Sequence, residues 1–306
     1  MGDVLLGFST LGLVIGTGFL LAHLGVVDLA AQQVLSRVAF YVANPALLVT
    51  VLAGSDVGAV FSLDAAALAL AVVLTVGLYV LVDRLVWRSD RGEATIGALS
   101  ASYANAGNLG IPVAAYVLGD AALVAPLLLL QLVVIQPIAI VLLDSSGRAG
   151  RSWYRAVLTP LTNPLTLGSI LGVVLSATDA TLPPVVDDPL SLVGGMAVPG
   201  VLVAYGISLR LGPKPGAGGS AWRIAMITVL KLVVQPTAAW AIARFVFDAD
   251  GASLFAVTVL AALPTAQNIF VYATRYDRGV ALSRDAIFAT TVLSVPVVIT
   301  VAALLG

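Results

Sequence analysis

Apolar runs of bilayer-crossing length recur along this chain of 306 residues, and nearly all its Lys and Arg residues fall in every second connection between them. A transmembrane helix needs about 20 apolar residues, with a range of roughly 17–25. On that measure spans fall near 4–24, 38–54, 62–82, 94–118, 121–143, 157–177, 190–209, 224–246, 253–274 and 286–305. The connections 25–37, 83–93, 144–156, 210–223 and 275–285 carry one, three, three, three and three of the chain's 15 basic residues. The intervening connections carry none, and hold acids such as Asp56, Asp120, Asp179, Asp187, Asp188, Asp248 and Asp250. Basic loops stay cytoplasmic, so an even number of crossings leaves both termini outside. One missed or invented span would swap the sign of every later loop, and none is swapped.

At 60% hydrophobic and 10% charged residues, the chain departs from soluble domains, where about a quarter of residues are charged. The reading is an all-α polytopic protein of the cell membrane, with residues 1–306 forming one transport domain. The start Met1-Gly-Asp-Val-Leu5 has no basic segment, and Val4 to Leu24 is long enough to span rather than to be cleaved. There is no cysteine and one histidine, so thiol, disulfide and metal-cluster chemistry are not expected, and neither is a cofactor. No HExxH, G-x-S-x-G, Walker or dinucleotide motif occurs, which argues against an enzyme; a nucleic-acid partner is not expected either.

Five spans per half is an odd number, so a duplicated half enters the membrane in the opposite orientation, as an inverted repeat. The prolines agree: Pro45 and Pro112 fall in the second and fourth spans, Pro199 and Pro264 in the seventh and ninth, and Pro137 and Pro296 in the fifth and tenth. The repeats run from about 1–143 and 157–306, joined by a basic linker near 144–156.

Two segments are costly for membrane helices. Ser102-Tyr-Ala-Asn-Ala-Gly-Asn-Leu-Gly-Ile-Pro112 interrupts span 4, and Leu263-Pro-Thr-Ala-Gln-Asn268 interrupts span 9. Proline frees backbone groups that lipid cannot satisfy, so such breaks persist where protein or a water-filled cavity surrounds them. One break per half is the pattern of a transporter with its site between broken helices. If the breaks cross, Asn105, Asn108, Gln267 and Asn268 converge as candidate substrate ligands, with Gly107 and Gly110 allowing close approach. Half-helix N-termini there suit an anionic headgroup. Asn44, Gln136, Asn163 and Gln235 each precede a proline and are read as partners for disturbed backbone or as glue between helices.

Lys231 is the ionisable residue well inside a span, about 10 Å from its basic end at ~1.5 Å per residue. It is either a snorkelling anchor or a cation facing the substrate. Arg244 and His23 are read as interface residues, and Asp64 and Asp83 as solvated ends of span 3. The absence of a mid-membrane carboxylate argues against proton or sodium antiport, which usually keeps one there as relay or ion ligand.

Ala104-Asn-Ala-Gly-Asn-Leu-Gly-Ile-Pro112 and Leu263-Pro-Thr-Ala-Gln-Asn-Ile-Phe-Val-Tyr-Ala273 resemble the auxin efflux carrier family, which includes bacterial malate and malonate permeases. Phe40-Tyr-Val-Ala-Asn-Pro-Ala-Leu-Leu48 and Lys231-Leu-Val-Val-Gln-Pro236 are similar to its second and eighth helices. The resemblance runs from about Ser36 to Leu305. It implies ten helices in two inverted five-helix repeats, as in bile-acid symporters and sodium/proton antiporters, with helices 4 and 9 broken at Pro112 and Pro264 and crossing. It further implies that Asn105, Asn108 and Gln267 or Asn268 hold a substrate carboxylate, and that the crossing bundle moves like an elevator against helices 1, 2, 6 and 7. The expected partners are a small carboxylate and the lipid bilayer; a coupling ion (H+ or Na+) and a homodimer stay open. The alternatives are a sodium-coupled bile-acid-type symporter and a membrane receptor or scaffold that does not transport.

Overall fold

The computed structural model describes residues 2–54, 62–110, 113–114, 117–119, 121–145, 164–212 and 221–306. Among these the chain is helical, and its one β-type contact is an isolated antiparallel bridge between Ala104 and Thr265. We label the helices α1 (Gly2–His23), α2 (Leu29–Ala53), α3 (Leu63–Trp87), α4 (Arg91–Ser102), α5 (Pro126–Ser145), α6 (Pro164–Ala177), α7 (Pro184–Leu211), α8 (Ala221–Val246), α9 (Gly251–Ala261), α10 (Asn268–Tyr276) and α11 (Val280–Leu305). Six of them, α2, α3, α5, α7, α8 and α11, are long and apolar enough to cross a membrane.

Side-chain caps fix several starts. Asp28 accepts from Ala31 N, Ser62 from Ala65 N, and Asp90 from the N–H groups of Gly92 and Glu93, each satisfying a donor the first turn leaves unpaired. The three X-Pro sites in α2, α5 and α8 share one adjustment: the turns Ala39–Ala43, Leu130–Ile135 and Leu230–Val234 are widened just before Pro45, Pro137 and Pro236. Asn44 N–H reaches back to Ala39 O and Gln235 N–H to Leu230 O, a five-residue step. Proline clashes with the carbonyl four residues back and cannot bond to it, and widening the turn relieves the clash while the helix continues.

Glycines set the closest helix approaches. On α7, a Cβ at Gly206 would run into Ile15 O of α1, and a Cβ at Gly18 of α1 into Val203 O of α7. The pair α6–α2 does the same: a Cβ at Gly168 would meet Pro45 O at 2.7 Å, and one at Gly172 would meet Leu52 Cβ at 2.7 Å and Leu48 O at 2.9 Å. Without a hydrophobic force between helices in lipid, such backbone-to-backbone packing is a main source of cohesion. α3 packs on α4 and α8, and α8 on α9.

Charged residues near the helix ends depart from the sequence reading. Asp83, expected to be solvated, is fully buried: its Oδ1 accepts from Arg223 Nη2 at 3.0 Å and from the Ser89 hydroxyl at 2.9 Å. Arg223 also donates to Glu93 Oε1 at 2.6 Å and to the Tyr79 hydroxyl at 2.9 Å. The reason is length: α3 runs to Trp87 and α8 starts at Ala221, so residues counted as loop lie inside a junction of three helices. Likewise α11 begins at Val280 and not near 286, which buries Arg284 and pairs its Nε and Nη2 with Asp285 Oδ1 at 2.8 and 2.6 Å. α2 begins at Leu29 and takes in most of a segment read as connection. Asp64 is half-buried and accepts from the Ser253 hydroxyl, His23 Nδ1 accepts from Arg210 Nε, and exposed Arg244 donates to Ala249 O.

Candidate functional site: an amide-lined cavity beside two paired helix breaks

α4 stops at Ser102 because Tyr103 turns extended, with φ −81° and ψ 111°. α9 stops at Ala261, three residues before Pro264, and α10 resumes at Asn268. The two extended pieces pair antiparallel: Asn105 N–H donates to Pro264 O at 2.8 Å, and Ala266 N–H to Tyr103 O at 3.1 Å. Past the bridge the chain re-coils, and Leu109 and Gly110 both donate to Asn105 O.

Side chains take up the carbonyls left open at the break ends. Thr265 Oγ1 donates to Ser100 O at 2.6 Å and Gln235 Nε2 to Ser102 O at 2.9 Å, both at the C-terminus of α4. Lys231 Nζ donates to Ala261 O at 2.9 Å, the C-terminus of α9, and to Gln235 Oε1 at 2.8 Å. Thr265 N–H is taken by Thr290 Oγ1. Lys231 and Gln235 thus bind each other and clasp both helix ends. A cation suits that place, because helix C-termini carry partial negative charge. An unsatisfied backbone group in hydrocarbon costs several kcal/mol, so these contacts are a condition for the breaks to exist.

On the other side of the bridge lies a cavity with about 130 Å³ open to the centres of water-sized molecules. Roughly 10–15 Å³ on that measure holds one water, so a small organic solute fits. One wall is Asn44, Leu47, Leu48 and Val51 of α2 with Val198 of α7; the other is Tyr103 to Gly107, Leu128, Gln131, Leu132 and Gln136 of α5, Ala266, and Asn268 and Tyr272 of α10. Among the described residues no charged side chain lines it. Asn105, Gln131 and Gln136 are buried, and the amide NH2 group of each has no hydrogen-bond partner among the described residues. A Cβ at Gly107 would meet nothing within 4 Å, so the backbone there is open to a ligand.

Of the residues singled out in the sequence, Asn105, Gly107 and Asn268 line this cavity. Gln267 is fully buried just ahead of α10 but is not in the cavity wall. Asn108 lies in the turn Ala106–Gly110, with its side chain outside the described residues, as is the whole of Pro112. Pro264 is in the bridge. Lys231 is fully buried and away from the cavity wall, its ammonium spent on the clasp. Gln235 supports backbone as expected, whereas Asn44 and Gln136, read the same way, face the cavity together with Gln131. Gln131, an amide inside span 5, had no assigned role in the sequence; the widened turn Leu130–Ile135 lies between it and Gln136, and both line the cavity. Asn163 lies outside the described residues.

A family model described as "membrane transport protein" matches residues 10–152 and 151–301. The chain is also 29% identical over 302 residues to an uncharacterized transporter of Methanothermobacter thermautotrophicus, with 96% of this chain and 95% of that one covered.

Proposed function

The chain belongs to the membrane transport protein family, that of the auxin efflux carriers, and from that premise we propose that it carries small organic anions of the malate or malonate type across the cell membrane, binding a carboxylate in the amide cavity. The observation that carries this reading is the trio of unpartnered NH2 groups on Asn105, Gln131 and Gln136. A buried donor left unpaired costs about 1–3 kcal/mol, and three such donors on residues that line one cavity favour a ligand that draws them out and completes them. The unpartnered atoms are donors, so the ligand offers acceptors.

The architecture proposed is ten crossings in two inverted five-helix repeats, with both termini outside. The mirrored contacts support it: α1 on α7 matches α6 on α2, α3 on α4 matches α8 on α9, and one break falls in each half. The cavity lies between a wall from α2 and α7 and a wall from the breaks and α5. Sliding the second wall past the first exposes the cavity to either side, which is elevator-type alternating access. The Lys231 ammonium, bonded to the C-terminus of α9 and to Gln235, supplies positive charge at the crossing, and transport without sodium is proposed on that ground.

The test is thermal stability of the purified protein with malate, malonate, succinate, pyruvate and indole acetate, in sodium-free buffer. A ligand of the folded state at about 100 times its Kd adds about 2.7 kcal/mol of stability. At least one carboxylate should raise the melting temperature of the wild type and leave Gln131→Ala unmoved. Stabilisation by cationic or neutral compounds alone would overturn the reading.

A further inference from the structure

α2 borders a second space besides the amide cavity. Gln33, Ser36, Arg37, Phe40 and Tyr41 border a second cleft, of about 610 Å³, and Asn44, Leu47, Leu48 and Val51 border the amide cavity. Steps of three and four residues keep Gln33 to Phe40 on one side of the first part of α2 and Asn44 to Val51 on one side of the second, and the widened turn Ala39–Ala43 joins the two parts. α10 repeats the arrangement: Asn268 and Tyr272 border the amide cavity, and Val271, Thr274 and Arg275 border the cleft. α2 and α10 thus border both spaces. Between them stand the buried rings of Phe40 and Tyr272, packed edge to face at 6.3 Å and 89°.

The cleft differs chemically from the cavity. Arg37 and Arg275 are exposed, and among the described residues no carboxylate lies within ion-pair distance of either. Asp277 also borders the cleft, so two positive groups face one negative group there. The Arg275 guanidinium lies over the rings of Tyr41 at 5.3 Å and Phe40 at 5.9 Å. Thr274 Oγ1 is buried without a hydrogen-bond partner among the described residues.

We propose that this cleft is a second anion site, where the carboxylate pauses on its way between the basic-loop side of the membrane and the amide cavity, with the Phe40–Tyr272 pair as the partition. The proposal rests on the organic-anion reading above. A guanidinium presents a planar fork that matches a carboxylate, and an excess of positive charge at a cleft raises the local anion concentration. Neutral amides inside hold the anion without trapping it, and the arginines outside recruit it. Because Arg275 leans on Phe40, an anion that draws the guanidinium away also loosens the partition. A phosphate headgroup shares this chemistry, so the experiment separates the two sources.

Initial rates of carboxylate uptake are measured from each face, in right-side-out and inverted vesicles, for wild type, Arg37→Gln, Arg275→Gln, the double variant and Arg275→Lys. From the basic-loop face the double variant should raise KM about tenfold, as expected for losing one strong polar contact, with the maximal rate kept. From the opposite face KM should stay at the wild-type value, and Arg275→Lys should recover part of the loss. Added salt should raise the wild-type KM from the basic-loop face and change the double variant little. Equal KM values for wild type and double variant from the basic-loop face overturn the second site and leave the amide cavity standing. An effect present in phosphatidylglycerol vesicles and absent in pure phosphatidylcholine assigns the cleft to lipid headgroups and also overturns it. No carboxylate flux in the wild type removes the organic-anion reading and this site with it.

Discussion

Lys231 and Asn105 sit near the same crossing with opposite polar status. The Lys231 ammonium has two partners inside the protein, while the Asn105 NH2 group has none. Their replacements should therefore separate stability from binding. Lys231→Met leaves Ala261 O without its partner, and should cost about 1–3 kcal/mol, seen as a lower melting temperature in detergent with no substrate present. Asn105→Ala removes a donor that is unpaired in the empty protein, so its unliganded melting temperature should equal or exceed that of the wild type while the carboxylate-induced rise disappears. Equal melting temperatures for Lys231→Met and wild type would show that the clasp is not structural. Lys231 stood out in the sequence as a costly charge, but its role did not, because Ala261 O lies 30 residues away and only the fold brings it close. Asn105 was legible from its place beside glycine and proline in an apolar run. Gln131 was not: a single amide inside a span usually serves as glue between helices, and nothing local marks its NH2 group as unpaired.

At the scale of helices, the breaks and the widened turns have the same cause and different legibility. A proline preceded by an apolar run is bridged by one wide turn, as at Pro45 and Pro236. Where glycine and amides crowd the same stretch, as around Asn105, the helix gives way to extended chain that needs a partner strand, and the other break supplies it. Composition reveals the break; the hydrogen bonds that repair it come from α8 and from Thr265 and Thr290, and no local pattern announces them. Helix starts were the poorest reading, because polar first turns such as 29–37 resemble loops when only apolar length is counted. Glycine contacts give a sharp prediction. Gly172→Leu drives a side chain into Leu48 and Leu52, and should abolish recovery of folded protein, since α6 cannot move off α2 without losing that whole interface. Gly107→Ala meets no neighbour and should fold normally, yet weaken carboxylate binding by narrowing the cavity. Size-exclusion profiles of the two purified variants check the folding half; equal profiles would show that the α2–α6 contact is not as tight as described.

At the scale of the whole molecule, the proposed transport runs through one amide-lined cavity that opens in turn to each side of the membrane, beside the Lys231 clasp. If Lys231 supplies the positive charge at the crossing, as proposed, replacing sodium with choline should leave the transport rate within about twofold; a tenfold loss would correspond to about 1.4 kcal/mol of sodium-dependent stabilisation and would contradict that proposal. The most direct measurement is uptake of a labelled dicarboxylate into proteoliposomes carrying wild type or Asn105→Ala, both verified as folded. Carboxylate binding in the amide cavity predicts saturable accumulation by the wild type and a rate at least about tenfold lower in the variant, the loss of one hydrogen-bonded contact to a charged group. Equal rates in the two would contradict it.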